Sequence, residues 1–538
     1  MAVEFEALRD EILARMHEWA PVHSTFLGIH DYDGELGDVS GVAIASQARA
    51  MSSYADRLDG LGGLAPDAED ERVLLLHLLR SELLDVETLR EWSRNPSHYP
   101  TLCLYGLYIL VARDFAPLPE RARDFLSRLR QVPAVLAAAR ENVAEPPAVF
   151  CITARLHAQG GLAFLAETVP QLAGQSPDLA ADLAEAAEAA ADAMHEFDAY
   201  LARLLEEDRG APFAIGEPAF AQKMWLDHMI RTTPVELLAL GEEQIALSTD
   251  KLAELAGRVE PGADWTDVVA RLKDDHPSPG TLLAEYRAAM AAARDFVAER
   301  ELATIPPNEH LDVIETPLFD RATIPYAAYL PPAPFEDGKV GLFYVTPVED
   351  GAQDAEERLR GHCRAGLPIT ALHEGYPGHH LQLSVAGHQG GPVARHWQDT
   401  VTAEGWALYC ELMMTEEGFL GAPESQLLMY KDALWRAVRV IVDVGLHCGG
   451  MSVGEAVDAL VDRAHLERPN AEAEVRRYTM SPTQPLSYTV GKLGLLALRD
   501  ACRAAEGDAF SLKAFHDRVL SCGTVPQAMI RRKLTGGE

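Results

Sequence analysis

Positive charge is scarce in this chain. Lys and Arg number 47 against 82 Asp and Glu over 538 residues, a formal net charge of −35. So acidic a surface repels polyanions, which argues against nucleic acid or an anionic membrane as the partner. Cysteine is also scarce: seven residues (103, 151, 363, 410, 448, 502 and 522), none in CxxC spacing. An odd, scattered set points to reduced thiols in a cytoplasmic protein, rather than to a disulfide framework or a thiolate metal site. No uninterrupted apolar run reaches the roughly 18 residues that a membrane-spanning helix needs. The opening MAVEFEALRDEILARM lacks the basic start and apolar core of a secretory signal and reads as an amphipathic helix. No segment recurs with a period of about 20–50 residues.

What is present is helical periodicity. Residues 69–93 and 176–206 place apolar side chains three and four apart among Ala, Leu and Glu, and 234–257, 281–302, 401–420, 424–448 and 491–506 do the same. The exception is 303–350, rich in Pro with short β-branched and aromatic runs such as LDVIET and VGLFYVT. It predicts two to four short strands, because Pro ends helices and confines strands to edges. Residues 258–280 predict a short helix between turns. The expected fold is mainly α with a small sheet near 303–350. An N-terminal helical portion, 1–210, would pack as one continuous unit with a C-terminal portion, 211–538, that holds the sheet and the chemistry.

The chemistry centres on ALHEGYPGHHLQ, residues 371–382. His373-Glu374 has the form of a zinc ligand beside a general base, but the position one turn later is Pro377, which cannot bind metal. The next histidines are His379 and His380. On a straight helix they would lie about 9 and 10.5 Å further along the axis, too far to share an ion with His373. A shared site therefore requires Pro377-Gly378 to bend a helix that begins near Pro368. Thirty-one residues beyond His373, TAEGWALYCELMM carries Glu404 and Glu411 seven apart, near one helix face. Carboxylates in so apolar a stretch need a partner or a metal; alternatively, Glu404 marks a helix start and Glu411 is solvated.

HEGYPGHHLQ and EGWALYCELM, with RVIVDVGLH (439–447), YTMSPTQPLSYTVGK (478–492) and FLGIHDYDG (26–34), together resemble the bacterial family catalogued as domain of unknown function 885. That family is similar to the gluzincin zinc carboxypeptidases and related peptidases. The resemblance implies a large helical zinc-peptidase-like fold. It makes His373 a zinc ligand and Glu374 the general base, His379 the second ligand with His380 as the alternative, and Glu404 the third. By the same likeness, His447 and Tyr488 are candidate donors to a developing oxyanion. Arg439, Arg477 and Lys492 are candidates to hold a substrate carboxylate, and Gln484 to hydrogen-bond substrate. Asp443 could accept from a ligand histidine or pair with Arg439. His30, Asp31 and Asp33 in GIHDYDG are best explained by turn chemistry.

The function expected is zinc-dependent hydrolysis of an amide or peptide bond in a small peptide or amino-acid conjugate. A metal-dependent deacylase or lyase on a specialised metabolite, and an inactive peptidase-like binding protein, are the other readings. Glu374 weighs against the last, since a binding site has no use for a general base.

Overall fold

Helix starts follow local chemistry. Thr233 accepts the Glu236 N–H while the Glu236 side chain returns to the Thr233 N–H, and Pro234 supplies a ready-made first turn. Ser452 and Glu455 repeat the reciprocal cap. The computed structural model describes residues 2–207, 210–316, 321, 324, 326–336, 338, 340–349, 351–352 and 354–536. It is mainly helical with one small sheet. The long periodic segments form Ala180–Glu206, Pro234–Val259, Leu282–Glu299, Thr400–Glu416, Pro423–His447 and Ser487–Glu506. The 69–93 segment is not one helix. Pro66–Leu83 runs into a widened turn, Leu84–Leu89, which stops where Arg90 takes a left-handed conformation (φ 55°), a change of path to which apolar spacing is blind.

Among the described residues the Pro-rich stretch gives three strands, β1 (His310–Glu315), β2 (Ala327–Leu330) and β3 (Val340–Val345). β3 lies in the middle, parallel to β1 and antiparallel to β2, with Phe343 opposite both Val313 and Tyr329. Between 258 and 280 a single short helix, Trp265–Leu272, is capped by Asp264.

By packing, the chain forms two units: 1–215 with 318–323 and 333–338, and 216–317 with 324–332 and 339–538. The first has a core of Leu107, Phe125, Leu129, Phe164, Met194 and Phe197. Arg128 is buried inside it, its guanidinium donating to the carbonyls of Glu35 and Gly106 and to the Thr25 hydroxyl. FLGIHDYDG makes a turn at 31–34, and its His30 Nδ1 lies 2.8 Å from Asp33. The returning segment is pinned there. Phe335 N–H donates to the Leu27 carbonyl, and Glu336 lies 3.4 Å from both His30 and Arg113. Burial works against charge on His30, but Asp33 and Glu336 outweigh it and raise its pKa to about 9. Ala148–Gln175 is long and apolar enough to cross a membrane, but half of its most apolar window is buried within the protein and it packs along Ala180–Glu206.

In the second unit, Pro423–His447 packs along Pro234–Val259, and Thr400–Glu416 along Ser487–Glu506. The last pair nearly touches backbone to backbone, because a Cβ on Gly405 would meet Gly491 at 2.4 Å. That approach sets Glu404, one residue before Gly405, beside Tyr488, three before Gly491.

Candidate metal centre

The His373 segment is not a bent helix. Leu367–Thr370 widens into a turn over Ala371–Gly375 and ends at Tyr376, whose backbone is extended (φ −125°, ψ 123°). The Tyr376–Pro377 peptide is cis. Gly378 N–H then donates to the Leu372 carbonyl at 2.9 Å, and a second helix, His379–Gln389, begins. Position 378 excludes any side chain, since a Cβ would fall 1.8 Å from the His373 carbonyl oxygen. The Trp406 indole N–H donates to the Pro377 carbonyl and fastens this turn to the Glu404 helix. Breaking the helix accomplishes what a straight one cannot: the rings of His373 and His379 meet edge-on, centroids 4.9 Å apart.

Glu404 arrives on Thr400–Glu416, whose first turn is capped by Asp399 accepting from Val401 and Thr402. Asp399 is itself fixed by buried His228 at 2.5 Å. One donor atom from each of His373, His379 and Glu404 lies within 4.8 Å of the others, and His379 Nε2 is 3.3 Å from Glu404 Oε2. Seven residues beyond Glu404 on the same face, Glu411 accepts from His373 Nδ1 at 2.8 Å. With its proton on Nδ1, His373 keeps the Nε2 lone pair for a metal. Burial opposes charge on His379, but Glu404 more than compensates and lifts the imidazole to about 9. Burial likewise disfavours ionised Glu404, yet the pairing with His379 and a hydrogen bond from Tyr488 hold it at about 2.

Two imidazoles and a carboxylate, one imidazole backed by a second carboxylate, form the donor set that zinc takes in open sites. Tetrahedral donors at about 2.0–2.2 Å from zinc stand roughly 3.4 Å apart, so these three need draw in by at most about 1.4 Å. The residues fit the ion. Binding would displace the proton that His379 holds against Glu404.

His380, the alternative ligand, is committed elsewhere. Its Nε2 is 2.6 Å from Glu309 Oε2 and its Nδ1 is 3.0 Å from the Tyr329 hydroxyl. Starting a new helix at His379 turns consecutive side chains about 100° apart, so one histidine faces the triad and the next faces β1 and β2. Glu374 shares the His373 turn, is partly exposed, and acts electrostatically on His379.

The other expected residues divide. Tyr488 lies beside Glu404, and Arg439 is next to it, with the guanidinium 4.8 Å from the Tyr488 ring centroid. Arg477 and Gln484 are bonded to each other at 2.7 Å, and Arg477 also holds Glu474. Lys492 is close enough to feel Glu411, and desolvation lowers its pKa. His447 is not brought to the triad. It lies about 12 Å along the helix axis past Arg439, donates from Nε2 to the Tyr478 carbonyl, and stacks on Phe220. Asp443 takes neither expected role. It accepts the Thr483 N–H and is 3.9 Å from His447, while Arg439 pairs with Glu474 and Glu411 bonds His373. Desolvation drives the Asp443 pKa well above the carboxylate range, against the backbone N–H groups that it accepts.

Of the two readings left open for Glu411, the partnered one holds: it is buried against His373, on the face that its spacing from Glu404 set. Glu309, Tyr329 and Arg436 carried no motif that could single them out.

A family model described as "Bacterial protein of unknown function (DUF885)" matches residues 21–534. A solved structure from Shewanella oneidensis, provisionally described as a lipoprotein of unknown function, is 25% identical with a TM-score of 0.80, and the match covers 98% of this chain and 99% of that one. A second, from Colwellia psychrerythraea and also provisionally described as a lipoprotein, is 18% identical with a TM-score of 0.84, covering 99% and 98%. The second shares the fold alone. No curated protein matches the chain.

Proposed function

Because the chain belongs to the bacterial DUF885 family, whose description assigns no function, we propose one from the site: zinc-dependent hydrolysis of an amide or peptide bond in a small peptide or amino-acid conjugate. The observation that carries this reading is the meeting of His373, His379 and Glu404 within 4.8 Å, with Glu411 bonded behind His373. The order of His-Glu, a second histidine and a glutamate on a later helix is similar to that of the gluzincin peptidases. Zinc held by the three would act as a Lewis acid on the substrate carbonyl and lower the pKa of water.

The chain's own groups do the rest. Glu374, beside the first ligand and partly exposed, takes a proton from the attacking water and delivers it to the leaving nitrogen. Tyr488, beside Glu404, donates to the oxygen on which charge develops. Arg439 stands behind Tyr488 to orient substrate. We also place the protein in the cytoplasm on its seven free cysteines, six of them buried. The description of the solved relatives as lipoproteins does not fit that placing, and cell fractionation decides between them.

The test is metal analysis of the purified protein with turnover of dipeptides and acyl-amino acids. Stoichiometric zinc lost in His373→Ala, with Glu374→Gln keeping zinc and losing turnover, is the expected result. A wild-type protein without zinc, or an equally active Glu374→Gln, refutes the proposal.

A further inference from the structure

The chain is strongly acidic, yet the neighbourhood of Tyr488 is basic. Arg436, Arg439 and Arg477 act on its ring and Lys431 stands on the same helix as the first two, with Glu404 the carboxylate beside the ring and Asp432 and Glu474 paired with the cations. Three of these cations are accounted for to different degrees. Lys431 Nζ donates to Asp432, and Arg477 spends both terminal nitrogens on Gln484 and Glu474. Arg436 reaches the Asp432 carbonyl through Nη1, but its Nε is buried without an acceptor.

Arg439 is the outlier. Only 4% of it is exposed, its Nη2 donates to Glu474 at 3.1 Å, and the Tyr488 side chain is a further polar neighbour. Its Nε and Nη1 are buried with no acceptor. Its guanidinium lies 4.0 Å from the Trp435 ring centroid and 4.8 Å from that of Tyr488, and Arg436 lies 5.7 Å from the same Tyr488 ring. Trp435 Nε1 is a further buried donor without an acceptor. Stacking on aromatic faces stabilises the cation but leaves N–H groups at the guanidinium edge unsatisfied. Folded proteins rarely bury several donors in one place without an acceptor to receive them. All of these donors are one tyrosine ring from Glu404, because Tyr488 lies beside Glu404 and is flanked by the two arginines.

We infer that Trp435, Arg436 and Arg439 form a subsite for a substrate carboxylate, so that the bond cut at the triad lies next to a free acid group. The substrate class is then short amides bearing a carboxylate beside the scissile bond, such as acyl-amino acids and dipeptides, rather than internal bonds of long chains. Which bond is cut rests on the hydrolase reading above; the existence of the subsite does not. Guanidinium groups bind carboxylates by charge-assisted hydrogen bonds, and the neutral amide of the same ligand, which offers no anion, cannot match them.

The experiment measures binding to the full-length protein, with and without metal, using N-benzoylglycine, its neutral amide and inorganic phosphate, followed by calorimetry and tryptophan fluorescence. The acid should bind at least about tenfold more tightly than the amide. That preference should disappear in Arg439→Gln and be partly kept in Arg439→Lys, with circular dichroism unchanged. If Arg439→Gln fails to fold, Arg436→Gln, which removes a more exposed side chain, must reduce the preference. Equal binding of acid and amide, no binding of the acid, or a preference unchanged in the folded variants overturns the subsite. Phosphate binding as tightly as the acid overturns the assignment to a carboxylate. An intact acid preference in a wild-type protein that takes up no zinc when zinc is supplied would sink the hydrolase reading alone.

Discussion

Glu411→Gln isolates the group behind the first proposed ligand. In the native arrangement Glu411 Oε1 accepts from His373 Nδ1 at 2.8 Å, both side chains are more than nine-tenths buried, and Glu411 Oε2 has no hydrogen-bond partner. Glutamine keeps the size but changes two things. The hydrogen bond loses its charge assistance, and the amide can turn its NH₂ toward Nδ1, which would move the imidazole proton to Nε2, the atom needed by the metal. Loss of such an outer carboxylate costs about 10–100-fold in metal affinity, or roughly 1.4–2.8 kcal/mol. Competition titration with a chromophoric zinc chelator measures the change directly. The fold should persist, because the substituted amide would still fill the space between helices. A zinc affinity in Glu411→Gln equal to that of the wild type would refute the claim that Glu411 sets the tautomer and basicity of His373.

Three further outcomes follow from other parts of the structure. His379→Ala should abolish zinc binding while His380→Ala leaves its stoichiometry intact. The second variant should be destabilised by less than the roughly 3–5 kcal/mol typical of a broken buried pair, because Tyr376 and Arg294 still bond Glu309; denaturant midpoints with metal content test both. Gly378→Ala should be the most damaging single methyl in the region. A Cβ 1.8 Å from the His373 carbonyl forces the backbone to move, at or above the usual overpacking cost of about 1–3 kcal/mol, and it should remove zinc together with thermal stability. In the first unit, His30 has a folded pKa raised from 6.5 to about 9, so its ionic contribution is fully present below about 6.5 and is lost as pH rises through about 9. The stability gap between wild type and His30→Gln, from urea midpoints across that window, should therefore shrink as pH rises; a gap that widens refutes the ionic account.

Local pattern along the chain set the helices, the strands and the residue types gathered at His373, His379 and Glu404. Apolar spacing marked helices such as 234–257 and 424–448, Pro density marked the sheet, and straight-helix geometry showed that a shared site would need a bend at Pro377-Gly378, where the chain instead ends one helix and starts another. Local pattern suffices there because periodicity, capping and proline chemistry act within a few residues. It did not decide which histidine would face Glu404, that Glu411 would bond His373, or that His447 would be placed beside Tyr478. Those outcomes depend on how one helix rotates and slides against another. The rotation is set by contacts far apart in the chain: Gly405 against Gly491, Trp406 on the Pro377 carbonyl, and Glu309 drawing His380 away. The unsatisfied donors of Arg439 were invisible for the same reason, since whether a guanidinium finds its acceptors is settled only when the neighbouring helices have packed around it.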